Sequence, residues 1–277
     1  MFYIYEYIET NINIDELSLE FGVSKFHFHR LFKEQIGMNI YEVIKSIRLQ
    51  KASNLLITNK FSTITQVANM CGYHSQSSFI RAFKNRFKQT PTFWRHGGYK
   101  KYSDEILNTL HVSSFSSVDF SYLEPEIIKT KPKRLYYIRQ KGYDTKSTKQ
   151  TWQKLMTWVY TNDILEYEQI GIYHDNPIIT PPKECFYVAG IAQNHNEKLI
   201  KTSLPYFDIP VDICASFKVT CEEKDVLRLI QWVYHEWLPN SGYETTPNPS
   251  YIVFEKNHFW GEEKDCRFIY NMPIRYI

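Results

Sequence analysis

The stretch LSLEFGVSKFHFHRLFK at residues 17–33 returns about fifty positions later as VANMCGYHSQSSFIRAFK at residues 67–84. Leu17 matches Val67, Gly22 matches Gly72, Phe28 matches Phe79, Arg30 matches Arg81, Phe32 matches Phe83 and Lys33 matches Lys84, with one residue gained in the second turn. Each copy predicts helix, glycine turn, helix, the second helix carrying Arg and Lys on one face. Two such units side by side suit the reading of two adjacent major grooves of double-stranded DNA.

Charge follows the repeat. Over 277 residues the formal charge is only +3. Residues 21–101, however, hold fourteen Lys or Arg against two acids, Glu34 and Glu42, a net +12, whereas residues 111–277 hold nineteen against twenty-one, a net −2. One end is built for a polyanion and the other is not. A basic run is commonly a solvated helix face, but that does not explain why the basic residues coincide with a repeated helix-turn-helix pattern.

The length suits two domains, each able to bury its own core, and 43% hydrophobic residues with 16% aromatics exclude a disordered chain. The start, MFYIYEYIETNINIDEL, lacks a cationic segment and includes Glu6 and Glu9, so it predicts an amphipathic helix and not a signal peptide. No run approaches a membrane span, and a cytoplasmic protein is expected. Five cysteines, with no C-x-x-C pair, point to reduced thiols and to no structural zinc. His27 and His29 stand two apart on a helix and point in different directions, so no metal site is expected there. No pattern calls for a cofactor or a catalytic residue.

In the first unit Phe28, Leu31 and Phe32 fall at helical spacing and are expected in the core, leaving Phe26, His29, Arg30 and Lys33 free to meet DNA. Ser24 stands where an N-cap belongs. In the second unit Phe79, Ala82 and Phe83 form the core triplet, and Gln76, Ser77, Ile80, Arg81 and Lys84 the exposed face. Arg can bind guanine O6 and N7, Gln can bind adenine N6 and N7, and Phe26 or Ile80 can press on a thymine methyl. Lys33 and Lys84, one turn on, are better placed for phosphates. Between the units, IYEVIKSIRLQKASNLLI at residues 40–57 predicts one helix about 27 Å long, a strut able to hold the reading helices about one DNA turn, roughly 34 Å, apart.

These motifs, GVSKFHFHRLFK, IRLQKA and ITQVANMCGYHSQSSFIRAFKNRFKQTP, make residues 1–98 resemble the DNA-binding domain of AraC/XylS-family transcription regulators. Carried over position by position, the resemblance implies base contacts by Phe26, His29, Arg30, Gln76, Ser77, Ile80 and Arg81. It departs at Ile80, where relatives often place a polar residue. It also implies RNA polymerase as a partner, and an activator more than a repressor.

Gly97-Gly98 and the serine-rich HVSSFSSVDFSYLE mark residues 99–124 as a linker with room for one short helix, and Pro125 opens a second domain over 125–277. That domain also repeats. Residues 134–142, 148–160 and 169–174 predict strand, helix, strand, and 213–221, 225–238 and 250–255 reproduce the order. The Trp-Val-Tyr string at 158–160 recurs at 232–234. The fold class expected is therefore multi-domain: an all-α double helix-turn-helix domain, then an α+β domain. Its duplicated units form one antiparallel sheet with both helices on one face and the other face open to a ligand.

IGIYHDNP at 170–177, WLPNSGYE at 237–244 and the closing MPI resemble a GyrI-like effector-binding domain. The resemblance implies a small, often aromatic or cationic effector. Relatives often place a Glu where this chain has Ile252, and the second repeat lacks the glycine that the first keeps as Gly142. Both departures argue against a cation-binding pocket. Tyr173, Tyr187, Trp232, Trp237, Ile252 and Phe254 are the expected pocket residues, since aromatic walls are common in such sites; the same residue types on strands and helices also build cores. Two other readings stay open: small-molecule hydrolysis in the second domain, and a second domain that binds a protein partner in place of a ligand.

Overall fold

The computed structural model describes residues 2–110, 118–193, 203–257, 259 and 265–277. They divide into two compact units, Met1–Tyr99 and Lys100–Ile277.

The first unit is helical: α1 (Phe2–Glu6), α2 (Ile14–Glu20), α3 (Lys25–Ile36), α4 (Ile40–Thr58), α5 (Ile64–Met70), α6 (Gln76–Phe87) and the short α7 (Pro91–Phe93). Side chains set most of the starts. Ser24 and Ser75 accept from the backbone of His27 and Ser78 at the heads of α3 and α6. Asn39 with Glu42, and Thr63 with Gln66, form reciprocal capping boxes on α4 and α5. Stops come from left-handed residues, Gly37 after α3 and Lys88 after α6.

α4 serves two cores. Ile40, Val43, Ile44 and Ile47 pack with Ile4, Ile8, Leu17 and Phe28. Further along, Ala52, Leu55 and Leu56 are buried, as are Val67, Phe79, Phe83, Phe87 and Trp94 of the second repeat. Trp94 closes that half, its ring 4.6 Å from Phe87 and its Nε1 donating to the Ser53 carbonyl at 3.1 Å. Polar anchors join the repeats to the strut. Arg48 donates to the carbonyls of Ile8 and Thr10 and lies under Gly72, where φ is +71° and a Cβ would stand 2.7 Å from the guanidinium. Lys51, with a side chain only 3% exposed, pairs with Glu9 and donates to the Met70 carbonyl.

Among its described residues the second unit holds α8 (Tyr99–Thr109) from its second residue on, α9 (Thr145–Thr161), α10 (Val226–Trp232) and nine strands. These are β1 (Glu126–Lys129), β2 (Lys133–Lys141), β3 (Glu168–Tyr173), β4 (Phe186–Gln193), β5 (Tyr206–Ile209), β6 (Ile213–Glu222), β7 (Tyr243–Thr245), β8 (Tyr251–Lys256) and β9 (Asp265–Tyr276). α8 occupies part of the stretch read as linker and docks on α10: Gln231 donates to Ser103 and Asp104, and Arg228 meets Asp104 at 3.3 Å.

The main sheet runs β1-β6-β9-β8-β3-β4-β2-β5, every pair antiparallel. Its middle is a palindrome. β3 and β8 pair at the centre, β4 and β9 flank them, and β2 and β6 lie outside those. The duplicated unit is thus strand, helix, strand, strand, one strand longer than the repeat predicted from sequence. β4, FYVAGIAQ, is buried from Tyr187 to Ala192 and carries no charged or amide side chain before Gln193, so it lacks the alternation by which a half-buried strand is recognised.

Both helices cover one face, as expected. The register aligns Phe217, Tyr270, Ile252, Gly171 and Ala189 across five strands. Trp152 of α9 and Trp232 of α10 pack onto that side, against Phe254 and Phe217. The other face is not open to a ligand, contrary to expectation. β5 ends at Ile209 and β6 begins at Ile213. Four residue steps reach about 14 Å, whereas six strand spacings in a flat sheet would be about 29 Å. The sheet must therefore curl, and Leu135, Ile170, Ile172, Val188, Cys214 and Tyr251 fill the inside of the curl with Ile128 of β1 and Phe207 of β5. Gly190 marks how full it is: a Cβ there would lie 2.6 Å from Leu135.

Candidate nucleic-acid interface and effector site

α3 and α6 are each 12 residues long. On α3, Phe26 is 81% exposed, Arg30 and Lys33 are exposed, and His29 is half-buried against the Tyr41 ring at 5.5 Å. Leu31, expected in the core, is exposed; Phe28 is buried and Phe32 half-buried. The packed stripe of α3 is therefore narrower than its apolar spacing suggests: Phe28 joins the core of Leu17 and Ile44, Phe32 packs against it, and Leu31 does not. Arg30 is not loose. Its Nη2 donates to Nδ1 of His27 at 3.2 Å, and its Nε lies 3.8 Å from Glu34. His27 was not among the expected contact residues, although its i, i+3 spacing from Arg30 was visible in the sequence.

On α6, Gln76, Ser77, Arg81 and Lys84 are exposed and Ile80 is half-exposed, while Phe79 and Phe83 are buried and Ala82 is half-buried. The Gln76 side chain is held: its Oε1 accepts from Thr65 Oγ1 at 3.1 Å. In the α5–α6 turn Tyr73 packs 5.4 Å from Phe79, and burial pushes its hydroxyl up to about 12. The exposed face thus offers an arginine and a lysine one turn apart on each helix. That suits base edges followed by phosphates.

In the second unit the six expected pocket residues all lie on the helix-covered side of the sheet. Three gather around α9. The Tyr173 hydroxyl meets that of Tyr143 at 3.0 Å, the Tyr187 hydroxyl accepts from Trp152 Nε1 at 3.1 Å, and Phe254 packs edge-on to Trp152 at 5.5 Å. Gly171 makes room for this, because a Cβ there would stand 2.4 Å from the Tyr187 hydroxyl. Burial holds the hydroxyls of Tyr143, Tyr173 and Tyr187 above their ordinary range, so they are neutral donors.

Two more gather in the second half. Trp232 and Trp237 lie 6.2 and 5.1 Å from Phe217, Trp232 is backed by Phe120, and Trp237 stacks on Tyr243. Ile252, 1% exposed, sits in the row joining the halves, between Gly171 and Tyr270. Tyr143, Trp152, Phe217 and Tyr270 were not anticipated. Only Tyr143 carried a signal, following the retained Gly142. The carboxylates nearest in sequence to the expected pocket are engaged elsewhere: Glu236 with Lys100 at 2.9 Å and Glu255 with Lys218 at 3.1 Å. Glu223 is the acid whose charge reaches the Tyr143 hydroxyl.

Residues 17–97 match the family described as a helix-turn-helix domain, and residues 123–274 match the GyrI-like small molecule binding domain. The xylose operon regulatory protein of Escherichia coli K12 is 34% identical over 95 residues, which are 34% of this chain and 24% of that protein. The chain thus spans about a quarter of that relative's length. The regulatory protein SoxS of Salmonella typhimurium is 34% identical over 94 residues, 34% of this chain and 87% of that protein. Among solved structures, the EcmrR–DNA complex aligns over 91% of this chain and 83% of that one, with a TM-score of 0.46 at 12% identity. Among the described residues, no helix is long and apolar enough to cross a membrane, and no group of three or more His, Cys, Asp or Glu could hold a metal ion.

Proposed function

We propose, since this chain belongs to the AraC/XylS family and carries a GyrI-like small-molecule binding domain, that it is a one-component transcription regulator of the cytoplasm. It reads double-stranded DNA through α3 and α6 and responds to a small molecule bound in the second unit. The observation that carries this reading is the equivalence of the two helices. Each starts on a serine cap, buries the matched phenylalanine, Phe28 or Phe79, and exposes the matched Arg and Lys. The strut between them, 19 residues and about 28 Å long, suits two grooves one turn apart. An activator of this kind has RNA polymerase as its second partner, and nothing in this function requires catalysis.

The effector is a neutral or weakly polar aromatic compound held on the helix-covered side of the sheet. Support comes from the aromatic residues gathered there, from their neutral hydroxyls, and from Ile252 at the centre of the row. A buried cation would need a counter-charge that Glu236 and Glu255, both paired with lysines, do not supply.

Selection of bound sites from random duplex DNA by the full chain tests the regulator. The expected result is a motif with two read segments about 10–10.5 base pairs apart. No enrichment, or enrichment of one short segment only, would remove the two-groove reading.

A further inference from the structure

Two thiols stand directly across the β6–β9 ladder at one end of the helix-covered side. Cys221 pairs in register with Cys266, their sulfurs are 3.9 Å apart, and Cys266 Sγ donates to the Cys221 carbonyl at 3.1 Å. Directly opposed residues of an antiparallel pair have Cα atoms about 4.5 or 5.5 Å apart, and both spacings lie within the range a disulfide bridges. Side-chain rotation alone can therefore close the bond. Alternation along the strands puts Cys221 in line with Val219 and Phe217, and Cys266 in line with Phe268 and Tyr270.

We propose that Cys221 and Cys266 form a reversible oxidation site, which a hydroperoxide converts to a disulfide tying the end of β6 to the start of β9. Cys221 is half-exposed and Cys266 buried, so the oxidant meets Cys221 first. Its sulfur attacks the terminal peroxide oxygen, the O–O bond breaks, the departing oxygen takes the Cys221 thiol proton and leaves as the alcohol or water, and Cys221 becomes a sulfenic acid. The Cys266 sulfur then attacks that of Cys221. The S–S bond forms, the S–O bond breaks, and the hydroxyl departs with the Cys266 proton as water. The thiol pair loses two electrons and the peroxide gains them.

The surroundings shape the rates. The hydrogen bond between the sulfurs, then burial, hold the Cys221 thiol far above its ordinary range, so little of it is thiolate and its first oxidation is slow. With the second sulfur already 3.9 Å away, the sulfenic acid is captured before further oxidation.

The test treats the native full chain with hydrogen peroxide, then denatures and alkylates it for intact mass and peptide mapping. Alkylatable thiols should fall from five to three. The mass before alkylation should fall by about 2 Da, a reductant should restore all five thiols, and the linked peptides should be those of Cys221 and Cys266. Cys221→Ser and Cys266→Ser should each abolish the loss of 2 Da. If either variant fails to fold, a chain with Cys71, Cys185 and Cys214 changed to Ser should still show it. Retention of all five thiols by the native wild type, irreversible oxygen addition at Cys221, or a bond to any other cysteine or to a second chain would overturn the proposal.

Discussion

Arg30 and His27 touch on the first reading helix, the guanidinium donating to Nδ1 of the imidazole at 3.2 Å. A guanidinium has no acceptor, so Nδ1 must accept and the ring proton sits on Nε2. His27 therefore holds the guanidinium of Arg30, the residue proposed to read bases. Arg30→Ala should weaken specific binding by roughly 1–3 kcal/mol and relax preference at one or two base pairs. His27→Ala should broaden the same positions while costing less affinity. Selected motifs and titrations of the two variants check this; an unchanged motif for Arg30→Ala would show that another residue reads those bases.

Lys33 and Lys84 lie one turn beyond the two arginines and are exposed. Either change to Ala should weaken binding to all sequences alike and lower the slope of log affinity against log salt by about one. The measurement is binding to specific and scrambled duplexes over a range of salt. A loss confined to the specific duplex would make these lysines base readers.

His235 is buried beside Lys100, and burial first, then that positive charge, hold its pKa down to about 4 from an ordinary 6.5. Between these values the unfolded chain binds a proton that the folded chain refuses. The second unit's stability is thus complete above about pH 6.5 and falls as pH drops toward 4. The loss attributable to this ring is about 3 kcal/mol. Denaturant unfolding at a series of pH values should show that slope, and His235→Gln should lessen it, the remainder falling to His174, which burial holds down to about 3; an unchanged slope would assign the loss to other groups.

Matched neutral and cationic aromatic compounds, titrated against the full chain by intrinsic Trp fluorescence, should separate in favour of the neutral ones. A cation near Ile252 would be buried without a counter-charge. Tighter binding of cations, abolished by Glu223→Gln, would mean that the acid whose charge reaches Tyr143 supplies that counter-charge.

Gly72→Ala should destabilise the first unit by at least about 1 kcal/mol, because φ is +71° there and the new Cβ would meet the Arg48 guanidinium at 2.7 Å. Gly22→Ala makes the control, with a similar φ of +65° and open space around it. A larger loss at Gly72 than at Gly22 isolates the Arg48 contact; equal losses would leave backbone strain alone.

What could be read from the chain itself was local or repeated. Helix, glycine and helix recur in order, Ser24 stands before the helix it caps, and the +12 charge of residues 21–101 coincides with the two repeated units. Periodicity and capping act within a few residues, so they survive translation into a string of letters. The tertiary structure decided the rest. Leu31 has core spacing yet stays exposed, since which side of a helix is covered depends on what the rest of the chain packs against it. The three-residue link between Ile209 and Ile213 curls the sheet and fills the face expected to take a ligand. The contact of Cys221 with Cys266, 45 residues apart, and of Tyr143 with Tyr173, 30 apart, depends on strand register. Register is a property of paired strands and not of either strand alone, and so no reading along one strand could have supplied it.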